Sequence, residues 1–188
     1  PSAVKVVGSH MLKTRLADAP VDLLVEMPAE CFVDTDTLDG RHFWKRQVYL
    51  AHCLDLLSKE SVGHVRCCPF DGNMVAGEFS VGDIKVRLQV GIHRDAFKLH
   101  RLAPGKENLR GSSFEGVVSD IKKASAVYNS ALAAGIFMYE QMAFQADVFA
   151  GNAVLCDAVR MAKAWLRKFP GCRLSGFAVS MLMAHLVK

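Results

Sequence analysis

The spacing of apolar residues changes once along this chain, near Phe114, and that change confines the fold to an α+β arrangement in which strands precede most of the helices. Residues 4–9 (VKVVGS) and 21–27 (VDLLVEM, closed by Pro28) are β-branched, apolar runs and read as strands. Over residues 41–59, Phe43, Gln47, Leu50, Leu54 and Leu57 recur at spacings of three and four and predict a helix, with Asp39 and Gly40 at its start. Residues 64–70, 74–80 and 84–92 predict three more strands, the first two joined as a hairpin through Asp71-Gly72. Beyond Phe114, helices are expected over residues 129–149, 153–169 and 175–187. In the middle one, Leu155, Ala158, Val159, Ala162, Trp165 and Leu166 oppose Asp157, Arg160, Lys163 and Arg167, and Pro170-Gly171 ends it. Trp165 is expected to plug the junction between the two halves, and the last helix, apolar nearly all round, is expected to be buried.

Several classes are excluded by arithmetic. With 188 residues, 51% of them hydrophobic, the chain can bury a core of one domain, or of one domain and part of a second. Its longest apolar run, residues 177–187, falls short of the roughly 20 residues that cross a bilayer, so no membrane contact is expected. Residues 1–7 have no signal-peptide pattern. The six cysteines, at 31, 53, 67, 68, 156 and 172, form neither a C-x-x-C pair nor a zinc-finger cluster, and Cys67 and Cys68 point to opposite faces of one strand. They are read as buried free thiols. His42, His52 and His185 lack a second ligand one helical turn on, so neither a metal nor another cofactor is expected.

Charge is unevenly spread. Residues 1–40 hold three basic side chains against seven acidic ones, whereas between positions 83 and 110 Lys85, Arg87, Arg94, Lys98, Arg101, Lys106 and Arg110 face only Asp83, Asp95 and Glu107. Such a segment suits a polyanion such as RNA, an acidic protein, or solvent. Lys85 and Arg87, two apart on a strand, share a face, and Arg101, Lys106 and Arg110 are candidates to extend that surface.

A strand ending in Gly8-Ser9, followed by a strand bearing Asp22, has the outline of a nucleotidyltransferase site, in which carboxylates hold two metal ions beside a nucleotide. A strand-edge glycine beside a solvent-facing aspartate gives the same pattern. Two divalent ions roughly 4 Å apart need at least two carboxylates. Yet Pro20 and Leu24 occupy the positions two residues either side of Asp22, and residues 84–92 offer Lys85, Arg87 and Gln89. Glu26 shares the face of Asp22 but lies roughly 13 Å along the strand. The residues describe a nucleotidyltransferase shape without its chemistry.

Seven stretches, VKVVGSHMLKT, VDLLVEMPAE, HFWKRQVYLAHCL, HRLAPGKENLR, VYNSAL, AVRMAKAWLRK and GFAVSMLMAHLV, resemble successive blocks of the Nrap family, the nucleolar RNA-associated proteins of the small-subunit processome. The resemblance covers nearly all of the chain and is weakest over residues 71–82. It implies a nucleotidyltransferase-like mixed sheet with a flanking helix over residues 1–116, and over residues 117–188 the first helices of the domain that accompanies it in poly(A) polymerases. It further implies a catalytically inactive scaffold in the nucleolus of the nucleus. The partners would be other processome proteins and pre-ribosomal or small nucleolar RNA, in the processing of 18S pre-ribosomal RNA. Gly8, Ser9 and Asp22 would then be remnants of a nucleotide site.

Phe43, Trp44 and Tyr49, on one amphipathic helix, are assigned to core or interface packing ahead of base stacking, and Met181 and Met183 to core filling. Two functions stay open on the residues: a non-catalytic assembly module, or an active template-independent nucleotidyltransferase acting on RNA.

Overall fold

The computed structural model describes residues 4–60, 62–70, 74–110, 120–169, 171 and 174–188. Val4–Val7 (β1), Val21–Met27 (β2), Gly63–Phe70 (β3), Met74–Val81 (β4) and Ile84–Ile92 (β5) form one sheet in the order β1-β2-β5-β4-β3. β2 and β5 run parallel, and the other neighbours antiparallel. The expected α+β class, with a mixed sheet, is what the chain adopts. Residues 8 and 9, expected to finish β1, instead begin a one-turn helix, Gly8–Met11 (α1), because Gly8 turns the chain with φ at +68°.

Alternation makes the sheet two-faced. Val25 and Met27 of β2 join Val86, Leu88, Val90 and Ile92 of β5 in one apolar cluster. On the other face Asp22, Leu24 and Glu26 stand in register with Arg87, Gln89 and Gly91. Helix Arg41–Ser58 (α2) lays Leu50 and Leu54 into the apolar cluster, and its Arg46 donates to the carbonyl of Val90. No side chain caps this helix; its first turn is held by Tyr128, whose hydroxyl accepts from Gly40 N at 3.2 Å.

Four helices follow: Ile121–Ile136 (α3), Met138–Phe149 (α4), Ala153–Leu166 (α5) and Gly176–Val187 (α6). The single helix expected over residues 129–149 is therefore two. The first begins earlier because the Asp120 carboxylate accepts from Lys123 N at 3.0 Å, and the two part at Phe137, whose backbone leaves helical geometry. Asn152 and Ser175 cap α5 and α6 in the same manner. Leu132 and Ile136 of α3 pack into the sheet cluster, whereas Phe149, Leu155, Cys156, Val159 and Ala184 form a second core among α4, α5 and α6.

Four burial expectations are corrected. Trp165 is 59% exposed and its ring lies tilted against that of Phe169 rather than plugging a junction. At about 100° per residue it stands about 80° from Leu155, on the side away from Cys156, so the buried arc misses it. The last helix packs against α4 and α5, burying Val179, Ser180 and Ala184 while Leu182, Leu186 and Val187 stay exposed. Trp44 projects outward from α2 at 69% exposure. Cys67 is exposed, Cys156 buried, and Cys31, Cys53 and Cys68 half-buried. The Asp71-Gly72 turn, the join at residue 116, Pro170 and Cys172 lie outside the described residues.

Gly77 on β4 lies directly under α2: a Cβ there would stand 3.2 Å from Leu54 Cγ and closer still to one of its methyls. Gly77→Ala is expected to lower the unfolding free energy by about 1–3 kcal/mol in urea titrations, through overpacking. In a Leu54→Ala background the same change should cost far less, and equal losses in both backgrounds would refute this packing account.

Candidate functional site

The polar face of the sheet gathers the sequence candidates at the end of β1. Val7 pairs with Asp22 across the β1–β2 register, and the chain then turns at Gly8. A Cβ on Gly8 would stand 2.6 Å from Asp22 Oδ2, so contact with the carboxylate, as well as the positive φ, demands glycine here. Ser9 lies beside them in α1. Gly8, Ser9 and Asp22 thus converge as the sequence suggests.

What faces Asp22 is a cation. Arg87, its partner in the parallel β2–β5 register, brings a guanidinium nitrogen to 3.6 Å from Asp22 Oδ1, and Gln89 Nε2 donates to the same oxygen at 3.3 Å. On its other side Arg87 reaches Glu78 of β4 at 3.2 Å, and Glu78 is also held by Arg66 of β3 at 2.7 Å. Burial pushes the Asp22 carboxyl above its ordinary range, opposed by Arg87, the Gln89 hydrogen bond and Lys163. The Arg66 hydrogen bond holds Glu78 below its own. Burial lowers the Lys163 amine, opposed by Asp22. One carboxylate already engaged by a guanidinium and an amide does not fit a two-metal centre, and no cluster of three or more His, Cys, Asp or Glu side chains able to hold a metal occurs among the described residues.

Helix α5 closes over this corner by binding the loop that follows α1. The Arg160 guanidinium donates twice to the Lys13 carbonyl, at 3.1 and 2.9 Å, and Lys163 donates to Thr14 Oγ1 at 2.9 Å. Cys156 Sγ approaches the Leu12 carbonyl at 3.5 Å, and Arg167 pairs with Asp18 at 2.9 Å. Lys13 is kept at a φ of +56°, unusual for a residue with a side chain.

From Asp22 and Lys163 a cleft of about 1560 Å³ extends between the first half of α2 and the helices α3, α4 and α6. Its α2 end is built on a buried polar knot. Tyr128 OH donates to the Thr37 carbonyl at 2.9 Å and lies 3.0 Å from His42 Nδ1. His42 is wholly buried, and its Nε2 has no partner among the described residues. Burial, reinforced by nearby Arg46, pushes its pKa down to about 3.

The basic candidates occupy two places. Lys85 is exposed near the start of β5. The loop carrying Arg101, Lys106 and Arg110 leaves from the other end, roughly 23 Å away at about 3.3 Å per residue. Arg101 pairs with Asp34 at 2.9 Å, Arg110 Nε donates to the Glu107 carbonyl at 2.7 Å, and Lys106 is exposed. Asn129 of α3 pins this loop: it donates to the carbonyls of Ala103 and Lys106 and accepts from Asn108 Nδ2 at 2.7 Å. Two of the sequence blocks, HRLAPGKENLR and VYNSAL, therefore meet through buried amides. Sequence reasoning missed Glu78 and Lys163; alternation on β4 and the polar side of α5 mark them only as solvent-facing.

The family model described as Nrap protein domain 1 matches residues 1–150. Similar curated proteins include Nucleolar protein 6 of Mus musculus, 31% identical, of Xenopus tropicalis, 29% identical, and of Homo sapiens, 28% identical. Each alignment covers 100% of this chain and 17% or 18% of the relative, so the chain spans less than a fifth of their length.

The buried neutral His42 makes stability depend on pH. Its folded pKa, about 3, lies below the ordinary 6.5, so the unfolded chain takes up the proton first as pH falls. Stability is expected to be unaffected by this group above pH 6.5 and to drop by up to about 1.4 kcal/mol per unit between there and about pH 3. Urea unfolding of wild type and His42→Phe across that window checks it: the variant should lose this part of the slope, and parallel curves would contradict the assignment.

Proposed function

This chain belongs to the Nrap family, through that family's first domain, and from that premise we propose that it is a non-catalytic scaffold module of ribosome biogenesis. Its place is the nucleolus of the nucleus, as the shared name of its relatives states for them. It assembles with other proteins of the small-subunit processome and with pre-ribosomal or small nucleolar RNA during 18S pre-ribosomal RNA processing. Residues 1–116 are the nucleotidyltransferase-like domain and residues 117–188 the start of a helical domain; the two separate hydrophobic cores support that division, with α3 bridging to the first.

The observation that carries the non-catalytic reading is the Arg87 guanidinium beside Asp22, where a metal-binding site would need a further carboxylate. A cation in that place repels Mg²⁺. Gly8, Ser9 and Asp22 are then the remnant of a nucleotide site, kept for its shape. Labelled nucleotide should not be incorporated onto an RNA primer with Mg²⁺ or Mn²⁺, and Asp22→Ala should bind RNA as wild type does. Incorporation that Asp22→Ala abolishes would establish the alternative, an active template-independent nucleotidyltransferase.

For RNA phosphates the candidates are Lys85, Arg87, Arg101, Lys106 and Arg110. Lys85 and Lys106 are exposed, whereas Arg87 and Arg101 reach a phosphate only by giving up Glu78 and Asp22, or Asp34. Single-strand binding measured over a salt series should show a log–log slope that falls by roughly 0.7 for each phosphate contact removed in Lys85→Ala/Lys106→Ala/Arg110→Ala. Unchanged affinity and slope would reject these residues as an RNA site and leave protein scaffolding.

A further inference from the structure

The two hydrophobic cores part within the helical half, not ahead of it. Leu132 and Ile136, at the end of α3, belong to the sheet core, and among the described residues none after Ile136 does. Phe149, Leu155, Cys156, Val159 and Ala184 build the other core within α4, α5 and α6. Between them the chain passes through Phe137, whose φ of −87° and ψ of 8° lie in the bridge region. Such a residue joins two helices at a bend rather than extending one rod. Gly135, two positions earlier, has the lowest helix propensity after proline, and a Cβ there would meet nothing within 4 Å.

The ties from α4 and α5 back to the sheet half are made mostly by long side chains. Arg160 and Lys163 hold the loop after α1, Arg167 pairs with Asp18, Lys5 lies 3.7 Å from the centre of the Tyr139 ring, and Arg94 stands 4.0 Å from Glu140. Val7, Leu12 and Met142 are buried as well, yet they line the cleft and join neither core. A cleft of about 1560 Å³ thus lies where a firm apolar interface would be. Units that meet without a large hydrophobic interface are expected to move relative to one another.

We propose that α4, α5 and α6 move as one body about a hinge at residues 135–137, opening and closing the cleft, while α3 stays with the sheet. The mechanical boundary then falls well past residue 116, where the family reading divides the chain, and it holds whether or not the chain contacts RNA. Buried hydrogen bonds from Tyr128 and Asn129 fasten α3 to the sheet half, and a satisfied buried network keeps one geometry. The α5 contacts act as the catch. Arg167 and Asp18 are both exposed, so their pairing is weak and is screened by salt.

Spin labels carried on a non-natural amino acid, which leaves the native cysteines alone, report this motion in the full chain by double electron–electron resonance. Positions 81 on β4, 130 on α3 and 161 on α5 have exposed side chains. In Arg160→Ala/Arg167→Ala, which opens the catch, the 81–161 and 130–161 distances should shift by about 2 Å or more and broaden, while 81–130 keeps its value. Adding Gly135→Ala should narrow both distributions again, because alanine stiffens the helix without a clash. A salt series on the otherwise wild-type chain gives the same readout without touching the catch: high salt should broaden 130–161 and leave 81–130 unchanged. A change in 81–130 with 130–161 constant would put α3 in the moving body and overturn the hinge. Three distances indifferent to both salt and the double substitution would make the two halves one rigid body and overturn the proposal.

Discussion

A guanidinium set between two carboxylates on different strands organises the polar side of this sheet. Arg87 of β5 stands between Asp22 of β2 and Glu78 of β4, so one side chain ties the three central strands across the face opposite the apolar core. Removing either acid would leave the other to balance the charge, but removing the arginine would leave two half-buried carboxylates facing one another. The tight turn at Gly8, the hydrogen bond from Gln89 and the approach of Lys163 are all arranged around the Asp22 member of that row.

Much of the fold was legible. Four of the five strands and α2 lie where alternation or three-and-four spacing put them, because each buries one regular face and the period of that face survives in the sequence. Parts that depend on partners were not. The start of α3 is weakly apolar, and its signal was a capping residue, Asp120, rather than a stripe. The burial of Trp165 and of α6 was misjudged because a wide apolar arc says only that a face can be covered. In the site, Gly8, Ser9, Asp22 and the mismatch at Arg87 were readable from strand spacing. Glu78 and Lys163 were not, since their role comes from register and from a helix that arrives from more than 130 residues later.

Two of the contacts that join the helical half to the sheet half are chemically unlike one another. Near the start of α2 the contact is a closed network of short-range polar groups: Tyr128 and Asn129 of α3 satisfy the Thr37, Gly40, Ala103 and Lys106 backbones. Such a buried network is satisfied in one geometry only, which fixes α3 in position over the sheet cluster. Near Asp22 the contact is made by long basic side chains of α5, more exposed to water. The cleft lies between these two attachments, so its width is set by both.

The way α5 holds the loop after α1 also bears on how the sequence can drift. Arg160 and Cys156 reach main-chain carbonyls, at Lys13 and Leu12, rather than the side chains there. A carbonyl is offered by every residue type, so mutations at position 13, whose side chain is exposed, leave that part of the handshake untouched provided the left-handed backbone turn is kept. Selection should therefore bear on the conformation of the loop more than on its letters. Gly and Asn are the replacements that position would accept most readily, while the arginine that reads it has no such latitude.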